Sequence, residues 1–232
     1  MLDKLKHPLV IFLLTALLLA PFYVGAADTD GDGHEDGEEL ANGFSPFNPE
    51  PVAIEDSDMD GDGLSDYWEI QFNTDPFSVD TDGDGYNDFM EVDAAYSPTG
   101  ADSARLEQVI EVSLKEQVMT YKIGGVAWLS WPVSTGKPGS QTPAGEFAIV
   151  NKALRPWSKA YGLWMPYWLG LGGGKIRNGS IGIHELPVWP GGYREGSDHL
   201  GRPASHGCIR LGVGPAKYLY ERVAPGVPVI IK

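Results

Sequence analysis

The chain has a single cysteine, Cys208, in 232 residues. That excludes an intramolecular disulfide, and it excludes zinc sites and redox motifs built on Cys-x-x-Cys pairs. Between Asp28 and Ala104 there is no lysine or arginine, against 23 aspartates and glutamates. Such a segment repels itself and carries too little apolar content to build a core unaided. The net charge of −15 argues against a nucleic-acid partner. Only one long apolar run is present, from Leu9 to Ala20.

That run has the form of an export signal. Lys4 and Lys6 precede it, and Val24 with Ala26, or Gly25 with Ala27, supply the small residues a signal peptidase needs. No cysteine follows the run, so a lipoprotein anchor is excluded. Residues 1–27 therefore read as a signal peptide. The alternative is an uncleaved anchor, which would be the chain's one contact with a membrane. Either form sends the remainder out to the periplasm or cell envelope. A lone thiol in an oxidising compartment is a thiol kept without a partner.

Charge divides the remainder. Residues 28–104 carry −23, and residues 105–232 carry +7, with 15 basic against 8 acidic side chains. The break predicts a boundary, with a turn-rich linker at 99–104 between an acidic region (28–98) and a second domain (105–232).

The acidic region is a threefold repeat. Its loops place carboxylates at positions 1, 3, 5, 9 and 12: Asp28, Asp30, Asp32, Asp36 and Glu39; Asp58, Asp60, Asp62, Asp66 and Glu69; Asp80, Asp82, Asp84, Asp88 and Glu91. This spacing converges hard oxygen ligands on one cation, which predicts structural Ca²⁺. Glycine at position 6 allows the sharp turn. An aliphatic residue follows each glutamate (Leu40, Ile70, Val92), and a proline lies seven residues after it (Pro46, Pro76, Pro98). Each unit thus reads as loop, short helix, turn. The first loop lacks an entering helix, so these are not paired EF-hands. The pattern resembles bacterial thrombospondin type 3 repeats, which implies a calcium-filled spacer; the second domain has no matching loop and length enough for its own core, so its chemistry is expected not to need the metal.

In the second domain Ser205-His206-Gly207-Cys208-Ile209-Arg210 concentrates reactive groups. In an extended segment His206, Cys208 and Arg210 share a face. An imidazolium beside the thiol predicts a lowered cysteine pKa and a nucleophilic thiolate. Gly207 allows close approach of a substrate to the backbone. From the residues alone two other readings stay open: a buried structural cysteine beside a core histidine, and a metal site of Cys208, His206 and His184.

Four ordered motifs carry a resemblance over about Arg105 to Lys232: Thr142-Pro143-Ala144-Gly145-Glu146-Phe147, Met165-Pro166-Tyr167-Trp168, Ser180-Ile181-Gly182-Ile183-His184 and Ser205 to Leu211. Together they are similar to the L,D-transpeptidases with a YkuD-type catalytic domain. The resemblance implies a cysteine acyl-enzyme on peptidoglycan stem peptides, without a catalytic cofactor, that forms 3→3 cross-links or passes the acyl group to another amine or, as an L,D-carboxypeptidase, to water; a non-catalytic calcium-dependent wall-binding module is the other reading. It implies Cys208 as nucleophile, His184 as base, and His206 and Ser205 in support. Backbone N–H groups around Gly207 and Cys208 would form the oxyanion hole. Arg210 would anchor a substrate carboxylate or form a structural ion pair, and Tyr167 and Trp168 would border the substrate. Two departures stand out. The gap from His184 to Ser205 is longer than the family's usual spacing, and Arg210 stands where many members have asparagine.

The rest of this half reads mainly as strands: Gln108–Leu114, Gln117–Ile123, Val126–Ser134, Gly145–Asn151, Ile181–His184 and Val227–Ile231, with a helix over Pro215–Val223. This predicts a mainly β, sandwich- or barrel-like domain with one or two short helices. Between Leu154 and Gly174 the rings of Trp157, Tyr161, Trp164, Tyr167 and Trp168 predict core packing together with a wall beside the site. Arg155, Lys159, Lys175 and Arg177 lie near enough in sequence to meet substrate carboxylates.

Overall fold

The structure is a computed structural model and describes residues 27–102, 104–174 and 176–232. The signal segment lies outside the described residues, apart from Ala27.

Each acidic repeat folds as loop then short helix: α1 (Asp36–Asn42), α2 (Asp66–Phe72) and α3 (Asp88–Asp93). In every loop the first aspartate accepts backbone N–H groups from two glycines that have positive φ. Asp58, for example, accepts from Gly61 at 2.9 Å and Gly63 at 3.2 Å. Glycine is the residue that adopts this backbone without strain.

The basic half is mainly β. Its strands are β1 (Gln108–Ser113), β2 (Val118–Ile123), β3 (Val126–Pro132), β4 (Gly145–Ala153), β5 (Trp157–Ser158), β6 (Leu163–Trp164), β7 (Trp168–Gly172), β8 (Gly182–Glu185), β9 (Ile209–Leu211) and β10 (Pro228–Ile231), with α4 over Pro215–Arg222. Eight of them form one sheet in the order β3-β2-β1-β10-β4-β7-β8-β9, and β5 and β6 form a separate hairpin. Alternate residues point inward, as in β2, where Met119, Tyr121 and Ile123 are buried. The sheet nearly closes into a barrel. Just past β3, Ser134 exchanges 2.9 Å backbone hydrogen bonds in both directions with Arg210 of β9. A second bridge joins Gly136 to Ser205. These bonds satisfy the edges that an open sheet would leave exposed.

The break in charge is not a break in packing. Leu64, Phe72, Val92 and Ala95 of the second and third repeats belong to the same buried cluster as the barrel strands. The Trp128 ring of β3 meets Trp68 at 4.8 Å and Phe72 at 5.7 Å, edge to face. The Trp128 indole N–H donates to the Tyr218 hydroxyl (3.0 Å), which donates to Asp93 (2.7 Å), and Arg222 closes an ion pair on the same carboxylate. The expected linker is a folded turn. Ser97 N–H bonds Ala104 O at 2.8 Å, and Leu106 N–H bonds Ala95 O at 3.0 Å. The acidic region thus has a core after all, shared with its neighbour. Sequence reading missed this because the few apolar residues that matter are spread among 23 acids.

Removing the Phe72 ring should therefore destabilise the whole chain. A buried Phe→Ala change costs about 3–5 kcal/mol. Calorimetry of Phe72→Ala with calcium present should show one cooperative transition at lower temperature. Two transitions, with the barrel melting as in the wild type, would show instead that the two halves fold independently.

Candidate active site

The parallel pairing of β8 with β9 sets the site. Its register opposes Ile183 to Ile209, His184 to Arg210 and Glu185 to Leu211. Opposed residues of paired strands face the same side, and residues two apart along a strand share that side. His184, Arg210 and Cys208 therefore point one way. One step back along the register Cys208 lies beside Gly182, whose backbone N–H acts to lower the thiol pKa. All three side chains line a cleft of about 740 Å³.

Trp168 of β7 floors this cleft. Its ring stacks on His184, centroids 5.9 Å apart and planes 25° apart, and its N–H donates to Asn151 Oδ1 at 3.0 Å. A Cβ on Gly182 would lie 2.7 Å from that ring, and one on Gly170 would lie 2.3 Å from Asn151 Oδ1. Both glycines are there because the indole and its partner fill the space.

His184 is 3% exposed. Its Nδ1 lies 2.6 Å from the Glu185 carbonyl oxygen. A carbonyl only accepts, so Nδ1 carries the proton and Nε2 keeps its lone pair. Burial, with the Arg210 charge adding to it, pushes the imidazole pKa down to about 4 against the opposing Glu185 bond. Burial also raises the Cys208 thiol pKa, opposed by the Gly182 N–H and by Arg210. At neutral pH the pair is thus a neutral thiol beside a neutral base. This differs from the expected thiolate, for which the His206 imidazolium was the expected partner.

Several other expected roles change. His206 is exposed and stacks on Tyr161 at 4.8 Å. Burial, Lys137 and Arg210 lower its pKa against the opposing charge of Glu195, which disfavours an imidazolium there. Ser205 does not hold an imidazole. Its hydroxyl donates to Cys208 O at 2.5 Å and accepts from Gly207 N–H at 3.0 Å. That second bond engages the Gly207 N–H, which removes it from the expected oxyanion hole. Arg210 is 7% exposed and bonds both carboxylate oxygens of Glu195, at 2.8 and 2.9 Å. Its charge is spent on that ion pair. Tyr167 packs on Tyr220 (5.7 Å) and is not among the cleft residues.

The aromatic stretch does border the cleft, through Pro156, Tyr161, Leu163, Met165 and Trp168. Trp157 and Trp164 pair with each other across the β5–β6 hairpin, and Arg155 lies over Trp164. Lys175 is outside the described residues. Sequence reading missed two contributors. Thr142 accepts from Gly136 N–H and donates to Gly207 O at 2.9 Å, tying the Thr-Pro-Ala-Gly turn to the cysteine loop. Glu195, from the long connection between β8 and β9, carried no spacing signal of its own.

In the acidic loops the carboxylates at positions 1, 3 and 5 bring ligand oxygens within 4.8 Å of one another in all three repeats. One buried oxygen each of Asp30, Asp60 and Asp82 has no partner; the same holds for Glu39 and Glu91, and for both oxygens of Glu69. Burial and the neighbouring aspartates raise Glu69 to about 8 and Glu91 to about 7. Orphaned, buried, hard oxygens of this kind fit a divalent cation. The carboxylates at position 9 do not join these clusters. Asp36, Asp66 and Asp88 turn both oxygens to hydrogen bonds with Thr29, with Met59 N–H and Ser45, and with Thr81. They brace the loops.

A nearly closed barrel whose paired strands turn a thiol and a neutral imidazole into one cleft defines a mainly β domain with a cysteine–histidine site. The model of the L,D-transpeptidase catalytic domain, YkuD, matches residues 107–231, and the chain belongs to that family. Its members are enzymes of peptidoglycan cross-linking. The bacterial TSP3 repeat, a calcium-binding type, matches 28–43, 58–78 and 80–94. Two curated relatives come from Bacillus subtilis (strain 168), and each carries the name "Putative L,D-transpeptidase". YciB is 28% identical over 144 residues, 58% of this chain and 72% of its own. YkuD is 31% identical over 102 residues, 44% and 52% of the two chains. A solved L,D-transpeptidase, LdtMt1 in complex with imipenem, aligns at 19% identity over 55% of this chain and 60% of its own, with a TM-score of 0.48. Among the described residues no helix is long and apolar enough to cross a membrane.

The burial of His184 has a pH signature. Its folded pKa lies below the unfolded value of about 6.5, so it contributes stability above that pH and loses it as pH falls towards about 4. The contribution at stake is on the order of 3 kcal/mol. Denaturant titrations of wild type and His184→Gln should lose their stability difference in that window, because glutamine takes up no proton. A difference that is constant from pH 7 to pH 4 would contradict a buried neutral imidazole.

Proposed function

We propose that the chain is an exported L,D-transpeptidase that works through a Cys208 thioester on peptidoglycan stem peptides. The observation that carries this reading is the neutral, Nδ1-anchored His184 sharing one cleft face with the sole thiol. Because burial keeps the thiol protonated, attack needs a base, and His184 Nε2 is free to be one. Sγ attacks the carbonyl of the stem's third residue as its proton passes to Nε2. The C–N bond to the terminal D-amino acid breaks, and the imidazolium returns the proton to the departing amine. An amine of a second stem then takes the acyl group, giving a 3→3 cross-link. With the Gly207 N–H engaged, the Cys208 N–H is the remaining oxyanion donor of that loop. Ser205, Thr142 and Gly207 hold the loop's shape, while Tyr161 and His206 form a flat wall for the peptide.

The three acidic loops would hold one Ca²⁺ each, through the aspartates at positions 1, 3 and 5 and the glutamate at position 12. When bound, the ion neutralises carboxylates that otherwise repel. Because α2 and α3 pack into the barrel core, the metal supports the catalytic half as well as its own repeats. This replaces the independent spacer expected from sequence.

The decisive experiment compares product formation from stem peptides in folded variants. Cys208→Ala should abolish turnover. His184→Ala should slow acylation by about 10²–10⁴-fold, and His206→Ala should cost less. Near-wild-type turnover by His184→Ala, with His206→Ala inactive, would move the base to His206. Mass analysis with and without an added amine acceptor separates cross-linking from hydrolysis, and a hydrolysed stem alone would make the chain an L,D-carboxypeptidase.

Chelation should lower the melting temperature of the whole chain, and saturating calcium should restore it. A barrel transition that chelator leaves in place would return the repeats to the role of an independent spacer.

A further inference from the structure

Glu195 sits in the long connection between β8 and β9, yet it is only 8% exposed. Both of its oxygens lie within hydrogen-bond reach of Arg210 Nη1, and one is also 2.9 Å from His199 Nδ1. Glu195 and Arg210 line the same cleft as His184, His206 and Cys208. Arg210 opposes His184 in the strand register and lies two residues beyond Cys208 on one face. In a poorly solvated cleft a fixed cation at that position acts on both, as a contribution smaller than that of burial. It favours a thiolate at Cys208 and opposes an imidazolium at His184, as the direction of its effect on each group shows. The proposed acylation needs both charges at once, because the proton leaving Sγ arrives on Nε2.

We propose that Glu195 is a positioning residue that holds the Arg210 guanidinium and cancels its charge beside the Cys208–His184 pair, so that proton transfer from thiol to imidazole is balanced. The inference rests on the acyl-transfer reading above. Other charged groups near the pair are already committed or turned outward. Lys152 of β4 lines the cleft, but its ammonium donates to Val223 O. Arg194 pairs with Glu185, the neighbour of His184 in β8. Asp198 pairs with Arg202, and His199 lies against Glu195 itself. Lys137 acts on His206. On α4, which packs beside β8, Lys217 pairs with Glu221, and Arg222 pairs with Asp93. Trp168 of β7 carries no charge. Arg210 is left as the cation to be balanced, and Glu195 as its counter-ion.

Cys208 is the only cysteine, so iodoacetamide alkylation of the full chain with calcium reads this thiol alone. Its rate against pH gives the thiol midpoint without any substrate. In Glu195→Gln the midpoint should fall by about one pH unit, a tenfold gain in thiolate at fixed pH. In Arg210→Met it should rise. The double variant Glu195→Gln with Arg210→Met should return towards wild type. Acylation by stem peptide in Glu195→Gln should have its pH profile moved down by about one unit, because the thiol and imidazole midpoints fall together. Glu195→Asp should move it back in part. Single-variant midpoints that match wild type, in proteins with native circular dichroism, would overturn the proposal. Should Glu195→Gln fail to fold alone, Arg210→Met is compared with the double variant: a midpoint lower in the double variant than in Arg210→Met supports the proposal, and equal midpoints refute it. A wild type inactive on stem peptides but with the expected pattern of midpoints would refute the acyl-transfer reading and leave the charge balance standing.

Discussion

The parallel pairing of β8 with β9 is the constraint on which the rest depends. It brings together two segments separated by more than twenty residues of chain and fixes their register, so that a thiol, an imidazole and a guanidinium emerge on one face. A slip of one residue would send the whole set to the opposite side. The register is held from outside as well. Ser134 bonds Arg210 on the far edge of β9, closing the sheet, and Thr142 grips Gly207. On the other flank Trp168 fills the space above two glycines and lies against His184. Each contact is modest, but they converge on three or four residues of strand.

Burial then decides the electrostatics of the pair. An exposed histidine beside a cysteine would favour an ion pair, and the local sequence suggested one. Within the folded chain desolvation dominates for both groups, so both stay neutral at rest. The consequence is a site that creates charge only when substrate is being attacked, so the surrounding fixed charges matter. The buried Arg210–Glu195 pair supplies a cation and its counter-ion at that place. A buried pair is a weak source of stability but a firm local electrostatic boundary.

Much of this was legible in the sequence. The β class, the helix at Pro215 and the loop-helix repeats follow from period and turn residues, while Cys208 and His184 were singled out by the motifs that resemble the family's. What was hidden depends on contacts between segments remote in the chain. The role of Ser205 is set by Cys208 O and Gly207 N–H after the loop has closed, and that of Gly182 by an indole on a neighbouring strand. Of the two roles left open for Arg210 the structure has the ion pair, whose partner Glu195, fifteen residues earlier, follows no motif. The aspartates at position 9 have the spacing of ligands, but the closed loop spends their oxygens on hydrogen bonds. The acidic repeats looked self-contained because charge counts do not reveal that Trp68 and Phe72 meet Trp128.

The central claim is a covalent one: that Cys208 carries the acyl group. Acid-quenched wild-type protein, sampled during turnover of a tetrapeptide stem, can be weighed intact and then mapped by peptide mass spectrometry. The account predicts a mass gain equal to the tripeptide acyl group, located on the peptide that contains Cys208, and lost on treatment with hydroxylamine. Turnover that proceeds with no covalent species, or with the acyl group on another residue, would contradict it.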